Sequence, residues 1–278
     1  MMVRAGALVL ALGLSAMAAS PASAQTVRQL PPGQSSDTPT RDKDAQRDRH
    51  VDTDSRADAA RRDVPSIATR GLPRGGSSFD AKFESGMAAI RAKDPGKAVE
   101  LMRPVLADFE QRYAGEKRQI YCAVTPEQSA AYRADATKAS REAVTIEPDW
   151  CRAQYVTAFA LIDLERYADA TAALQRLVGF APQSSRYLNE LGYGLMKQKK
   201  LTESLDAYRR SEAAADLTPG RVKEERCIAL KGMGYDLVEL GDLNAAEAAY
   251  RKCLIVDPAD KDSPGEIEYI QKQRKLTV

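Results

Sequence analysis

Histidine is almost missing from this chain: among 278 residues only His50 carries an imidazole. It lies in "RDKDAQRDRHVDTDSRADAARRD", a run with hardly an apolar side chain, so any folded part lacks the commonest general base and the usual Ser-His or Cys-His pairing. Cysteine is scarce and scattered. Cys122, Cys151, Cys227 and Cys253 show no paired spacing and have no histidine nearby, which argues against a zinc framework. Phosphate-binding loops are missing too, because the glycines of "LGYGLM" and "KGMGYD" never complete the required spacing. Charge of one sign is not in excess: 41 basic against 39 acidic residues leave +2, with no clustered basic face to attract nucleic acid. Carboxylates are abundant, but on exposed helical faces, where solvation explains them. The expectation is therefore a protein that is not an enzyme, with no cofactor, no metal, no catalytic residue and no nucleic-acid partner.

Long hydrophobic runs are confined to the start. "MMVRAGALVLALGLSAMAASPASA" places Arg4 before an apolar stretch and closes on small residues, the order of a secretory signal cleaved before Gln25. A retained membrane anchor is the alternative, but the run is short for a span of roughly 20 residues. No cysteine follows it to carry a lipid, and nothing later in the chain reaches transmembrane length. Residues 1–24 are thus expected to be a signal peptide, and the mature chain periplasmic or secreted, without stable membrane insertion.

From residue 25 to 78 the sequence has too little apolar surface to build a core. "LPPGQSSDTPT" is rich in proline and serine, the mixed-charge run follows, and "RGLPRGGSS" supplies a hinge. Such composition cannot offset chain entropy and predicts a disordered polyampholyte tether. A solvated spacer, a partner-binding arm and a single exposed helix are all readings of that charged run.

Beyond Phe79 the texture becomes amphipathic helix with short turns, and a repeat emerges. Pro148 and Pro182, Tyr167 and Leu201, and Ala170 and Ser204 all share one spacing. Three clear units follow: 151–184, 185–218 and 227–260. The junction before the last is lengthened around Pro219 and Gly220. Small residues recur where two helices of a unit would cross: Ala158, Gly192 and Gly234, then Ala170, Ser204 and Ala246. Large ones recur where units would meet: Leu161, Leu195 and Leu237, then Leu174, Tyr208 and Tyr250. Pro182 and Pro258 close two of the units because proline cannot continue a helix.

This pattern resembles the tetratricopeptide repeat, whose period is 34 residues. The stretch from "YCAVTPEQSAAY" through "EPDWCRAQYVTAFALIDLERY" to "GMGYDLVELGDLNAAEAAYRKCLIVDP" is similar to a group of exported bacterial tetratricopeptide proteins, a likeness that implies a fold and no activity. The implied fold is all-α, a right-handed superhelical array of antiparallel helix pairs. Residues 79–150 read as degenerate N-terminal repeats. Gly86 and Ala98 occupy the matching slots, Asp94-Pro95 opens a helix, Pro104 is expected to kink it, and one long helix is expected over 126–147. Residues 261–278 read as a C-terminal capping helix.

Cys227 begins a unit's first helix and Cys253 nears the end of its antiparallel second, so a bridge between them is expected if the Cα atoms approach within about 7 Å. Cys122 and Cys151 bracket the long helix and would lie about 30 Å apart at 1.5 Å per residue. Their pairing requires the break at Pro126 to fold the chain back. Buried free thiols are the alternative for both pairs.

The resemblance also implies that first helices line a concave surface. Carried over slot by slot, the groove positions are Arg152, Tyr155, Phe159 and Asp163, then Arg186, Asn189, Tyr193 and Lys197, then Lys231, Tyr235 and Glu239. Tyrosine and arginine are enriched at binding hot spots, so this row suits an extended peptide or a helix, although several of the aromatics could instead pack between units. The Lys/Asn arrangement by which some relatives clamp a chaperone's terminal carboxylate is not present; Asn189 alone does not make it. Trp150, after Asp149 as a helix cap, is expected to staple a junction between units. The expected partner is another envelope or secreted protein. A glycan in an aromatic groove and self-association through the array ends are the rival readings.

Overall fold

A computed structural model describes residues 77–146, 148–218 and 220–276 of the chain. The expected signal peptide, and the tether except for its last two residues, lie outside the described residues. What is described is helical from Ser77 onward: α1 (Ser77–Arg91), α2 (Pro95–Arg112), α3 (Pro126–Lys138), α4 (Asp149–Asp163), α5 (Tyr167–Phe180), α6 (Ser185–Lys197), α7 (Leu201–Ala214), α8 (Val222–Glu239), α9 (Leu243–Val256) and α10 (Ser263–Leu276). A short 3-10 turn, Ala215–Leu217, fills the lengthened junction before α8. Two strands, β1 (Gln119–Cys122) and β2 (Ala143–Ile146), interrupt the helical order. No described helix is long and apolar enough to cross a membrane.

Local chemistry sets the helix starts. Asp94 accepts from the Lys97 backbone N–H at 3.0 Å with Pro95 just inside α2, and Thr125 does the same for Gln128 at 3.2 Å with Pro126 opening α3. Asp242 caps α9 through Ala245 at 3.0 Å. Asp149, expected to cap, is instead the first residue of α4, after Pro148, and its side chain lies 3.7 Å from the Arg152 guanidinium. Pro104 leaves α2 unbroken over its whole length. The turn inside each helix pair has one residue of positive φ at its corner: Lys93 (59°), Glu165 (56°), Lys199 (59°) and Gly241 (85°). Only the last is the residue type that adopts this conformation without a Cβ penalty.

The pairs α1–α2, α4–α5, α6–α7 and α8–α9 stack in order, and α10 closes the stack against α9. Successive first helices also touch one another, α1 to α4, α4 to α6 and α6 to α8, so the array curves toward that side. The slots behave as their residue types require. Ala158, Ala170, Ser204 and Ala246 are fully buried, and Leu161, Leu195, Leu237, Leu174, Tyr208 and Tyr250 fill the core around them. A methyl group built on Gly234 would run into the ring of Tyr250, and one on Gly192 would lie 2.9 Å from the ring of Tyr208.

The segment between α2 and α4 departs from expectation. The helix foreseen over 126–147 ends at Lys138, turns through Ser140 at φ 51°, and continues as β2, which pairs in parallel with β1 from Gln119↔Ala143 to Cys122↔Ile146. Parallel strands need a crossover, and α3 provides it. The reason lies in "AVTI", where three successive β-branched side chains favour extended backbone. Because the chain folds back, Cys122 meets Cys151 with Cα atoms 6.3 Å apart and the two form a disulfide. The second disulfide is the expected one, Cys227 with Cys253, Cα atoms 4.8 Å apart. No cysteine is free. Meanwhile α2 packs directly on α4, so residues 113–148 are an excursion from the array and not one of its units.

Candidate partner-binding groove

The eleven positions all lie on the first helices α4, α6 and α8, but at different depths. Phe159, Asn189, Tyr193 and Tyr235 are buried. Arg152, Tyr155, Arg186, Lys197 and Lys231 are half-buried, and Asp163 and Glu239 are exposed. Three of the four aromatic rungs therefore belong to the packing between helices. What reaches the surface is one tyrosine and a row of cations.

At the α4 end the Arg152 guanidinium sits 3.9 Å over the ring of Phe83 and 5.3 Å from that of Phe79, with Asp80 at 3.3 Å. Tyr155 rests on Tyr187 with ring centroids 5.4 Å apart. Burial pushes the Tyr187 hydroxyl up to about 12, so it stays protonated beside the two arginines at any physiological pH. On α6, Lys197 Nζ lies 5.8 Å from the Tyr193 ring and 5.9 Å from that of Tyr167, within cation–π range. On α8, Lys231 is held by Asp260 at 3.0 Å and Asp262 at 2.6 Å. Burial opposes its charge, but these carboxylates outweigh burial and keep Lys231 above the ordinary lysine range. Lys231 thus ties α8 to the loop before α10. Glu239 pairs with Lys199 at 3.6 Å.

The centre of the surface is organised by a residue the sequence did not single out. Glu225, on the first turn of α8 and 2% exposed, accepts from Arg186 Nε and Arg221 Nε, each at 3.3 Å, and from Asn189 Nδ2 at 3.1 Å. The Asn189 amide oxygen in turn accepts from Ser211 Oγ at 2.7 Å, and Ser211 meets Ser185 at 2.8 Å. A polar chain therefore runs from α7 through α6 into α8, tying the second clear unit to the third. Its consequence is testable. Glu225→Gln keeps the shape and removes the charge facing two guanidinium groups, and it is expected to lower stability by about 2 kcal/mol in denaturant unfolding. That is short of the 3–5 kcal/mol for a fully buried pair because both arginines still reach water.

Trp150 does staple neighbours, with its ring 4.5 Å from Phe180 of α5 and 6.0 Å from Phe109 of α2. Among the described residues, Cys227, Cys253 and Asp260 form a trio compact enough for a metal ion, but both sulfurs are committed to the disulfide. Besides its disulfide to Cys151 on α4, the excursion touches α5 and the end of the second unit. Gln119 Nε2 donates to the Gly179 carbonyl at 3.4 Å, and Thr125 Oγ1 to the Leu217 carbonyl at 3.3 Å.

Residues 155–219 match the tetratricopeptide repeat family. No curated protein matches the chain. Among solved structures, a Podosopora anserina putative kinesin light chain with nearly identical TPR-like repeats superposes with a TM-score of 0.52 at 13% identity, covering 74% of this chain and 90% of that one. The Sgt2 TPR domain from Aspergillus fumigatus gives 0.41 at 12% identity over 46% of this chain and 80% of its own. The first TPR of Spaghetti, solved with an HSP90 peptide bound, gives 0.40 at 14% identity over 45% and 93%. At 13% identity the likeness to the first of these shows the fold alone.

Proposed function

From an array that is, on these grounds, a tetratricopeptide-repeat solenoid, we propose an exported scaffold that acts by binding: its concave side holds a peptide or helix of another envelope or secreted protein. The observation that carries this reading is the row on the first helices, where half-buried Tyr155 packs on Tyr187, whose hydroxyl interacts with both Arg152 and Arg186, with Lys197 farther along α6. A tyrosine face beside desolvated cations suits a chain that offers apolar contact together with carboxylates or backbone carbonyls. Export rests on the N-terminal sequence pattern alone, with its charged start, apolar run and small-residue end.

The test is capture by crosslinking from the cell envelope, comparing the unaltered chain with Tyr155→Ala/Lys197→Glu. Neither residue belongs to the Glu225 chain, so cooperative unfolding should be retained while capture of the partner weakens at least about tenfold, roughly 1.4 kcal/mol. Unchanged capture would reject the groove as the working surface. Loss of retention on a polysaccharide matrix, with protein capture intact, would favour the glycan reading. A change in oligomeric size alone would favour self-association.

A further inference from the structure

Asp236, on α8, has no exposed surface, and neither of its carboxylate oxygens has a hydrogen-bond partner. Its place in the fold is defined by what lies one turn away. Gly232 abuts the ring of Tyr208, and one turn before Tyr208 on α7 stands the buried Ser204. The carboxyl therefore lies in the seam where the second clear repeat meets the third. The Ser204 hydroxyl beside it is turned to the Gly192 carbonyl of α6 at 2.8 Å. The charged groups that act on the carboxyl are Glu239, farther along α8, and Lys199, in the turn between α6 and α7; their own pairing cancels much of their field. On the other side of α8, α9 sets the ring of Tyr250 against Gly234.

A neutral carboxyl fits such a place far better than a charged one, because a carboxylate removed from water beside a hydroxyl already turned to a carbonyl recovers little of its lost hydration. We propose that the α7–α8 seam is a proton-controlled joint, closed while the Asp236 carboxyl is neutral and loosened when it ionises. Burial is the largest influence and pushes this carboxyl up to about 7; Ser204 and Lys199 oppose it and Glu239 reinforces it. The sign follows from proton counting. In an opened seam the carboxyl meets water and titrates near 4. Between about pH 4 and 7 the closed seam keeps a proton that the open one has lost, so opening becomes about tenfold more favourable for each pH unit gained. Above about pH 7 both states are ionised and the effect levels off. This holds whatever the groove binds.

Hydrogen exchange of α7 and α8 peptides in the full chain, corrected for intrinsic exchange chemistry, tests the joint. From pH 5 to 7 seam opening should rise about a hundredfold in the unaltered protein. It should stay flat in Asp236→Asn, and α4–α5 peptides should stay flat in both. The same pH response in the two proteins would overturn the proposal. Should the Asn variant fail to fold, a carbon-13 titration of the Asp236 carboxyl in the unaltered chain decides the matter: a midpoint near 7 upholds the joint, and one near 4 overturns it.

Discussion

Tyr208→Ala is expected to lower stability by about 3–5 kcal/mol, the range for removing a large buried aromatic ring. The side chain is 2% exposed and fills the space between two glycines, Gly192 on α6 and Gly232 on α8. A methyl group on Gly232 would run into the ring, so both helix surfaces are hollowed to receive it. The hollowing makes the loss severe, because neither glycine has a side chain that could move into the cavity. It also supplies an internal control. Gly232→Ala alone should cost about 1–3 kcal/mol by overpacking against the ring. The same change in the Tyr208→Ala background should be neutral or mildly stabilising. Chemical denaturation of the two single variants and the double variant reads this coupling directly, and additive losses would mean that the ring and the glycine do not share a site.

The second large effect belongs to the disulfide between Cys122 and Cys151. Replacing both with serine should cost about 3–4 kcal/mol on the chain-entropy estimate for a loop of this length, the two cysteines being 29 residues apart. Cys227 and Cys253 are 26 apart, so loop length alone predicts nearly the same loss there. The difference lies in where the loss falls. Cys227 and Cys253 join α8 and α9, which pack closely on each other and are expected to stay together when the bridge is reduced. Cys122 ties β1 covalently to the start of α4, whereas the rest of the excursion is fastened by the burial of Tyr121, Tyr132 and Ile146 in the main core and by the polar contacts of Gln119 with Gly179, Thr125 with Leu217 and Gln183 with Asp135. Proteolysis within 119–146 should therefore accelerate sharply in Cys122→Ser/Cys151→Ser and stay near its original rate in the Cys227/Cys253 counterpart. Equal protection of 119–146 in both would show that the excursion docks without its disulfide.

The helix pairs were legible because their slots are filled by residue size: Ala158, Gly192 and Gly234 mark close crossings, and Leu174, Tyr208 and Tyr250 mark the contacts between units. The excursion was not, because "REAVTIEP" ends as a repeat's second helix ends, and a four-residue strand offers too short an alternation to contradict that reading. The Cys122–Cys151 bridge was obscured by the same substitution of helix for strand. For the groove, the slots placed residues on the right helices but said nothing of depth. Tyr193 and Tyr235 read like Tyr155, yet the neighbouring helix covers them. Glu225 escaped notice because the longer junction before α8 breaks the register in which its meeting with Arg186 and Asn189 could be read.

The contact of α2 with α4 has a wider meaning. Each helix pair offers its successor a surface, and that surface engages whichever pair presents the right shape, regardless of the path the backbone takes between them. Length inserted at such a junction leaves the neighbours' grip intact, so the junction is where a solenoid can acquire a new appendage without rebuilding its spine. Here residues 113–148 occupy that opening and are fastened to the array by the Cys122–Cys151 disulfide and by the contacts of Gln119 and Thr125.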